Sequence, residues 1–154
     1  MKTIQEILRA KQALYKYFTE KGAFEAVKQN GFDLIYVKNQ TEAICTEAVK
    51  QNGFALRYVK NQTEAICIEA VKQYADALIY VKEQTEAICI EAVKKNGYVL
   101  SYVKEQTETI CIEAVKQHGF ALRYVNDSLF IVTPKELTME ELTTLLGYEV
   151  KIIK

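Results

Sequence analysis

No stretch of this 154-residue sequence approaches 18 uncharged apolar residues, so no membrane-spanning helix is expected. The N-terminus, MKTIQEILRAKQALYKYF, scatters charge through its apolar positions and lacks the uninterrupted apolar segment of a secretory signal. Charge of one sign is missing as well. With 20 basic residues offsetting 20 acidic ones, no global field draws the chain toward nucleic acid or an anionic membrane. Histidine is nearly absent, His118 being the single one, and no CxxC spacing, Ser and His pairing, Gly-rich phosphate loop or cluster of metal-ligating residues occurs. These absences set the expectation of a cytoplasmic protein that is not an enzyme and uses no cofactor or metal. Secretion by a route that reads no cleaved signal stays open.

What is present is repetition. TEAICIEAVK stands at 63–72 and again at 85–94, and one substitution away at 41–50 and 107–116. Aligned on itself, the chain gives five units with a period of 22, starting at Thr19, Thr41, Thr63, Thr85 and Thr107. A fixed period of this size marks a stacked array whose units bury their faces only against each other. At 49% apolar residues the chain can build a real core as one domain or one short array.

Within a unit, the opening Thr is a helix N-cap, and the Glu after it suits the positive helix end. The Gly twelve residues on is placed for a left-handed C-cap, which frames a helix of about three turns. In the third unit Ile66, Cys67, Ala70 and Val71 share one arc, Ile68 widens it, and Glu69, Lys72 and Gln73 take the other side. After the Gly, FALRYVK in the second unit is too short for an ordinary helix and predicts a short α or 3₁₀ turn, then a polar NQ or EQ connection. The third unit has Ala75 in place of the capping Gly. There the helix is expected to run on into Asp76, or the backbone to be held in a left-handed conformation, and the array to be least regular.

The recurring EAVK, NG and ALxYV elements, as in EAVKQNGFALRYV at 47–59 and EAVKQHGFALRYV at 113–125, closely resemble the short α-helical repeats of the domain of unknown function 4116 family. The resemblance covers about residues 19–128. It implies an α-helical repeat fold and carries over no activity, ligand or catalytic residue. Ala75 and the opening of the first unit depart from the pattern.

The flanks differ. Residues 1–18 place Ile4, Ile7, Leu8, Leu14, Tyr15 and Phe18 largely along one helical face, as an N-terminal capping helix would. At the other end, LFIVT at 129–133 and YEVKII at 148–153 read as strands. Between them Thr138 and Glu141 form a capping box for a helix carrying Met139, Leu142, Leu145 and Leu146 and stopped by Gly147. The expected architecture is thus mainly α. A capping helix (1–18) leads into a short right-handed α-solenoid of five 22-residue helix-turn-helix repeats (19–128), closed by a small strand-helix-strand cap (129–154).

Four rows of equivalent residues are candidate sites. Cys45, Cys67, Cys89 and Cys111 lie one per unit. Neighbouring helices pack roughly 8–10 Å apart, too far for disulfides, whose Cα atoms lie within about 7 Å. A row cannot converge on a zinc ion, so these cysteines read as core. His118 takes the place of Asn30, Asn52 and Asn96 and reads as a helix-end polar residue. Tyr36, Tyr58, Tyr80, Tyr102 and Tyr124 form a second row, read as half-buried packing rather than a platform for bases or sugars. Lysines 28, 50, 72, 94 and 116 each follow a Glu by three residues, and such pairs cancel on a solvated face.

One position varies inside the constant frame: Ile35, Arg57, Ile79, Ser101 and Arg123. Freed from the packing demand, it is the candidate partner-binding face. The expected function is a repeat scaffold that binds another macromolecule, most plausibly a protein, as a monomer or strand-paired homodimer. Two alternatives come from other classes. One is nucleic-acid binding by the Lys and Tyr rows together, with a salt-dependent affinity. The other is homo-oligomeric assembly through the terminal strands.

Overall fold

A computed structural model describes residues 3–6, 9–10, 19–126 and 129 of the protein. They are mainly helical, with no strand among the described residues and no helix among them long and apolar enough to cross a membrane. Each of the five repeats forms the same two elements. The α-helices are Glu20–Gln29, Glu42–Gln51, Glu64–Gln73, Glu86–Lys95 and Glu108–Gln117. The 3₁₀ helices that follow them are Gly31–Tyr36, Gly53–Tyr58, Ala75–Tyr80, Gly97–Tyr102 and Gly119–Tyr124. Each α-helix packs on the next, each 3₁₀ helix on the next, and each α-helix on the 3₁₀ helices of its own and the preceding unit. The core lies between these two layers.

The opening threonines cap as expected. Thr63 Oγ1 accepts from the Ile66 amide at 3.4 Å, and the equivalent bond recurs at Thr41, Thr85 and Thr107. The same hydroxyl reaches backward too: Thr107 donates to Glu86 of the preceding unit at 2.7 Å, and Thr85 and Thr63 donate likewise to Glu64 and Glu42. The wide apolar arc of unit three is buried as expected, with Ile66, Cys67, Ala70 and Val71 inside and Ile68 partly covered. Leu34, Leu56, Leu78 and Leu100 of the 3₁₀ layer are fully buried, each stabilising the fold by about 1.5–3 kcal/mol relative to exposure.

The helix ends differ from expectation. In units one, two and four the residue that closes the α-helix is the Asn, not the Gly. Asn52 is extended (φ −153°, ψ 113°), its amide donates back to Ala48 O at 2.9 Å, and its Oδ1 accepts from Phe54 N at 3.0 Å. One side chain therefore ends the α-helix and starts the 3₁₀ helix. Asn30 and Asn96 repeat the arrangement. None of Gly31, Gly53, Gly97 and Gly119 has a left-handed φ. A glycine is needed for a different reason: a Cβ on Gly53 would stand 2.4 Å from Ala70 O of the next unit, and Gly31 and Gly97 meet Ala48 O and Ala114 O at 2.4 and 2.3 Å. The backbones of successive units approach too closely there for any side chain.

Unit three keeps the frame at Ala75. The helix does not run on, because Tyr74 takes the extended cap conformation (φ −136°) and donates to Ala70 O. What this unit loses is the side-chain cap, which Tyr74 cannot provide. Its ring stacks on Phe54 instead, with centroids 5.1 Å apart. Ala75 is buried, so this interface accommodates a methyl group that its neighbours exclude.

The unit-to-unit joint is made by the Gln of the NQ and EQ connections. Gln62 Nε2 donates to Leu56 O of its own unit (3.3 Å) and to Tyr80 O of the next (3.0 Å). Its Oε1 accepts from the Lys82 amide at 3.0 Å and receives the Cys67 thiol at 3.7 Å. Gln40, Gln84 and Gln106 make the same set of bonds. A second ladder runs alongside, in which the ammonium of Lys60 donates to Lys38 O, Lys82 to Lys60 O and Lys104 to Lys82 O at 2.7–3.0 Å.

At the N-terminus, residues 4–6 and 9–10 are helical. Thr3 and Glu6 form a reciprocal capping box, with Thr3 N donating to Glu6 Oε2 at 2.8 Å and Glu6 N to Thr3 Oγ1 at 3.3 Å. Ile4, expected on the buried face, is 77% exposed, since nothing among the described residues covers this first turn. The expected contributions of Ile7, Leu8, Leu14, Tyr15 and Phe18 lie outside the described residues, and of the strand-helix-strand element expected at 129–154 only Leu129 is described, in a helical turn rather than a strand.

Two stability outcomes follow. Gly53→Ala forces a Cβ against Ala70 O and should destabilise by about 1–3 kcal/mol, as overpacking does, measured by urea unfolding. Gln62→Glu keeps the acceptor side of the joint but cannot donate to Leu56 O and Tyr80 O while ionised. It should cost about 2–3 kcal/mol at neutral pH. Facing two carbonyl oxygens, the introduced carboxyl has a raised folded pKa. Its protonated form can donate again, so the deficit should shrink as pH falls through that raised pKa. A Gln62→Ala variant should show the loss without the acid recovery.

Candidate binding face

The fifth residue of each 3₁₀ helix is the variable one, and in every unit it is solvent-exposed: Ile35, Arg57, Ile79, Ser101 and Arg123. The residue before it, Leu in every unit, points the other way and is buried in units one to four. Three residues make one turn of a 3₁₀ helix, so side chains at i and i+3 eclipse. Each variable residue therefore stands in line with the second residue of its helix, which is Phe32, Phe54, Asp76, Tyr98 or Phe120.

Arg57 is the best-supported member of the row. Its guanidinium lies 4.6 Å from the Tyr58 ring centroid and 5.7 Å from that of Phe32, one unit back, and Nη2 donates to the Tyr58 hydroxyl. Hydrogen bonding to the Tyr58 hydroxyl, and then to that of Tyr80 one unit on, raises its pKa further. Aromatic residues from three successive units thus hold one exposed cation in place. Arg123 has a single such partner, the Tyr124 ring at 5.4 Å. Ile35 and Ile79 present bare apolar side chains, 54% and 59% exposed, in the units flanking Arg57. Ser101 is exposed as well, its hydroxyl donating to Tyr98 O at 3.0 Å. The row is contiguous, but only its first three members combine into a patch of mixed character.

The other rows fall where packing places them. Tyr58 and Tyr80 are half-buried, each edge-on to the Phe of the preceding unit (Phe32 and Phe54) at 6.1 and 6.2 Å. Tyr124 is half-buried also, whereas Tyr36 and Tyr102 are exposed. The Lys and Glu stripe pairs with itself through Lys94 to Glu91 (3.5 Å), Lys116 to Glu113 (2.9 Å) and, between units, Lys72 to Glu91 (3.8 Å). The Lys116 ammonium holds the Glu113 carboxyl below its ordinary pKa. His118 closes the last helix in the place of Asn, and its ring stacks on Tyr98 at 4.6 Å.

All four cysteines are buried and free. Burial is the first cause raising each thiol pKa, with the Glu of the helix's first turn adding to it in units two to four, and Cys67 is pushed up to about 11. Thiols so placed are weak nucleophiles, because the thiolate is the reactive form. Among the described residues no group of three His, Cys, Asp or Glu side chains could hold a metal ion.

The sequence pattern left two supporting sets unread. Phe32, which faces Arg57, belongs to a further 22-residue row of aromatics at 32, 54, 98 and 120, broken by Asp76. The structural Gln could have been found because Gln40, Gln62, Gln84 and Gln106 are constant while the preceding residue changes from Asn39 and Asn61 to Glu83 and Glu105.

With this geometry in view, comparison with known families gives a match for residues 85–130 to the family described as Domain of unknown function (DUF4116). The match spans units four and five and agrees with the resemblance of the repeats. No curated protein and no solved structure matches the chain.

The cysteines give a further expected outcome. A thiol reagent should label the native protein only at the rate of global unfolding. Because the folded thiol pKa values are raised, their contribution to stability is complete below the ordinary value near pH 9 and is lost as pH rises through the folded values. Thermal melts should therefore fall progressively between about pH 9 and pH 11, with Cys67→Ala flattening part of that decline.

Proposed function

We propose that the protein is a non-enzymatic repeat scaffold, a short right-handed α-solenoid that binds a protein partner through the exposed row of its 3₁₀ helices. The observation that carries this reading is Arg57. An exposed arginine is ordinarily mobile, yet this one is held by aromatic rings and hydroxyls drawn from three units, with apolar Ile35 and Ile79 on either side. Ordering a side chain before binding removes part of the entropy cost of association. Arginine and large apolar residues are the types that dominate protein interfaces. The ion pairs of Lys72, Lys94 and Lys116 with Glu and the edge-on packing of Tyr58 and Tyr80 support this reading over nucleic-acid binding, since these members of the two rows are already engaged within the protein.

The test is a comparative pull-down from the native cell or its host with wild-type protein and an Arg57→Glu, Arg123→Glu double variant. The reading expects specifically captured protein with the wild type, loss of that capture with the variant, and unchanged helical content and melting temperature. Capture at wild-type level by the folded variant would remove this face from consideration.

A further inference from the structure

Arg57 is an exposed cation whose partners are all aromatic. The Phe32 and Tyr58 rings lie within cation–π distance of its guanidinium, and the Tyr58 and Tyr80 hydroxyls accept from it. Among the described residues no carboxylate stands within ion-pair distance of it, unlike Lys72, Lys94 and Lys116, each of which is paired with a Glu. A guanidinium has more N–H donors than two hydroxyls take up, and its planar edge matches the two oxygens of a carboxylate. The aromatic cradle therefore orients the charge without neutralising it.

The ground on either side is apolar. Phe32 and Ile35 in unit one, and Tyr74 and Ile79 in unit three, are exposed. Beyond unit three the pattern ends, because Ser101 follows Ile79 in the row. Asp33 and Asp76 add negative charge to the same two flanking 3₁₀ helices. A nucleic-acid backbone needs a succession of cations, and here it would meet an Asp-bearing unit on each side of Arg57. A single carboxylate between two apolar side chains instead meets a cation where it is charged and apolar surface where it is not.

Spacing sets the shape of such a partner. Successive units pack roughly 8–10 Å apart, so the equivalent positions of Ile35, Arg57 and Ile79 recur at about that step. An α-helix advances about 10.5 Å per heptad, and residues one heptad apart return to nearly the same face. An extended strand returns to one face at about 6.7 or 13.4 Å, and its residue at about 10 Å points away. Resting on the reading of this row as a protein-binding face, we propose that the partner is an amphipathic α-helix laid along units one to three, with one Asp or Glu on Arg57 and an apolar residue one heptad to either side on Ile35 and Ile79. The carboxylate takes the open edge of the guanidinium, and the two apolar residues cover the isoleucines and exclude water from the ion pair.

The experiment titrates the full chain into a fluorescently labelled helical peptide of about 21 residues built on Ala and Gln and reads anisotropy. The peptide carries a central Glu and a Leu one heptad to either side. It should bind saturably. Moving both leucines to one helical turn from the Glu, or placing Lys where the Glu stands, should weaken binding more than about tenfold. With Arg57→Glu the preference between the Glu and Lys peptides should reverse, an outcome that a misfolded variant cannot produce, and Arg57→Gln should bind the two alike. Absence of saturable binding to the folded wild type would overturn the helical acidic partner. The pull-down comparison reports on the face itself whatever the peptide does, so the two failures are distinguishable. Equal binding of the Glu and Lys peptides by the wild type, or tighter binding of a labelled single-stranded RNA of about 20 nucleotides, would overturn the proposal as well.

Discussion

A side-chain amide between two units is the constraint on which the rest of this structure depends. Near the end of each 3₁₀ helix the Leu carbonyl accepts from the following Val amide and can take a second bond, the Tyr carbonyl also needs a donor, and the connection that follows must turn the chain back to begin the next α-helix. The Gln of the connection resolves both problems. Its amide nitrogen satisfies one carbonyl in its own unit and one in the next, and its oxygen takes the next unit's backbone amide. Partly buried backbone groups left unpaired cost about 1–3 kcal/mol each, so the joint fixes the spacing and rotation of successive units by penalising every alternative. The cysteine row follows from it, since each thiol packs beneath the amide oxygen that the preceding unit's connection supplies.

Once that joint fixes the step, the close approach of Gly31, Gly53 and Gly97 to the neighbouring alanine carbonyl and the full burial of one leucine in each of units one to four follow as consequences of a constant distance. A single residue in each 3₁₀ helix is left without a packing role. Variation is concentrated there because changing Ile35 to Arg57 or Ile79 disturbs nothing that holds the units together. Recognition and stability are thereby carried by different residues, and the two meet only where the aromatic rings that pack the units also support the Arg57 guanidinium.

Much of this was legible in the sequence because repetition converts position into environment. Thr63 had to be a cap and Cys67 a core residue, since every copy solves the same problem and neither type could do anything else in all of them. The exposed row was found in the same way, by its failure to repeat. Misreading entered where one residue type serves two physical ends. Glycine after Asn reads as a left-handed cap, but here the extended Asn52 does the capping and Gly53 is required by the backbone of the next unit's α-helix, which local sequence cannot reveal. The same error produced both expectations for Ala75, where Tyr74 fixes the turn whatever follows. The role of Gln62 was hidden for a related reason: a polar residue in a short connection looks solvated until the neighbouring unit is brought against it.

Native-state hydrogen exchange tests the central claim most directly. The amides of Lys60, Lys82, Lys104 and Asn126 lie in exposed connections, outside any helix, and each donates to the oxygen of a glutamine side chain. If the glutamine joint holds the units together, these four amides should exchange as slowly as the helix interiors of the same units, through unfolding of the units they join. Exchange near the rate of a free amide, with the helices still protected, would contradict the account and leave apolar packing alone to set the array.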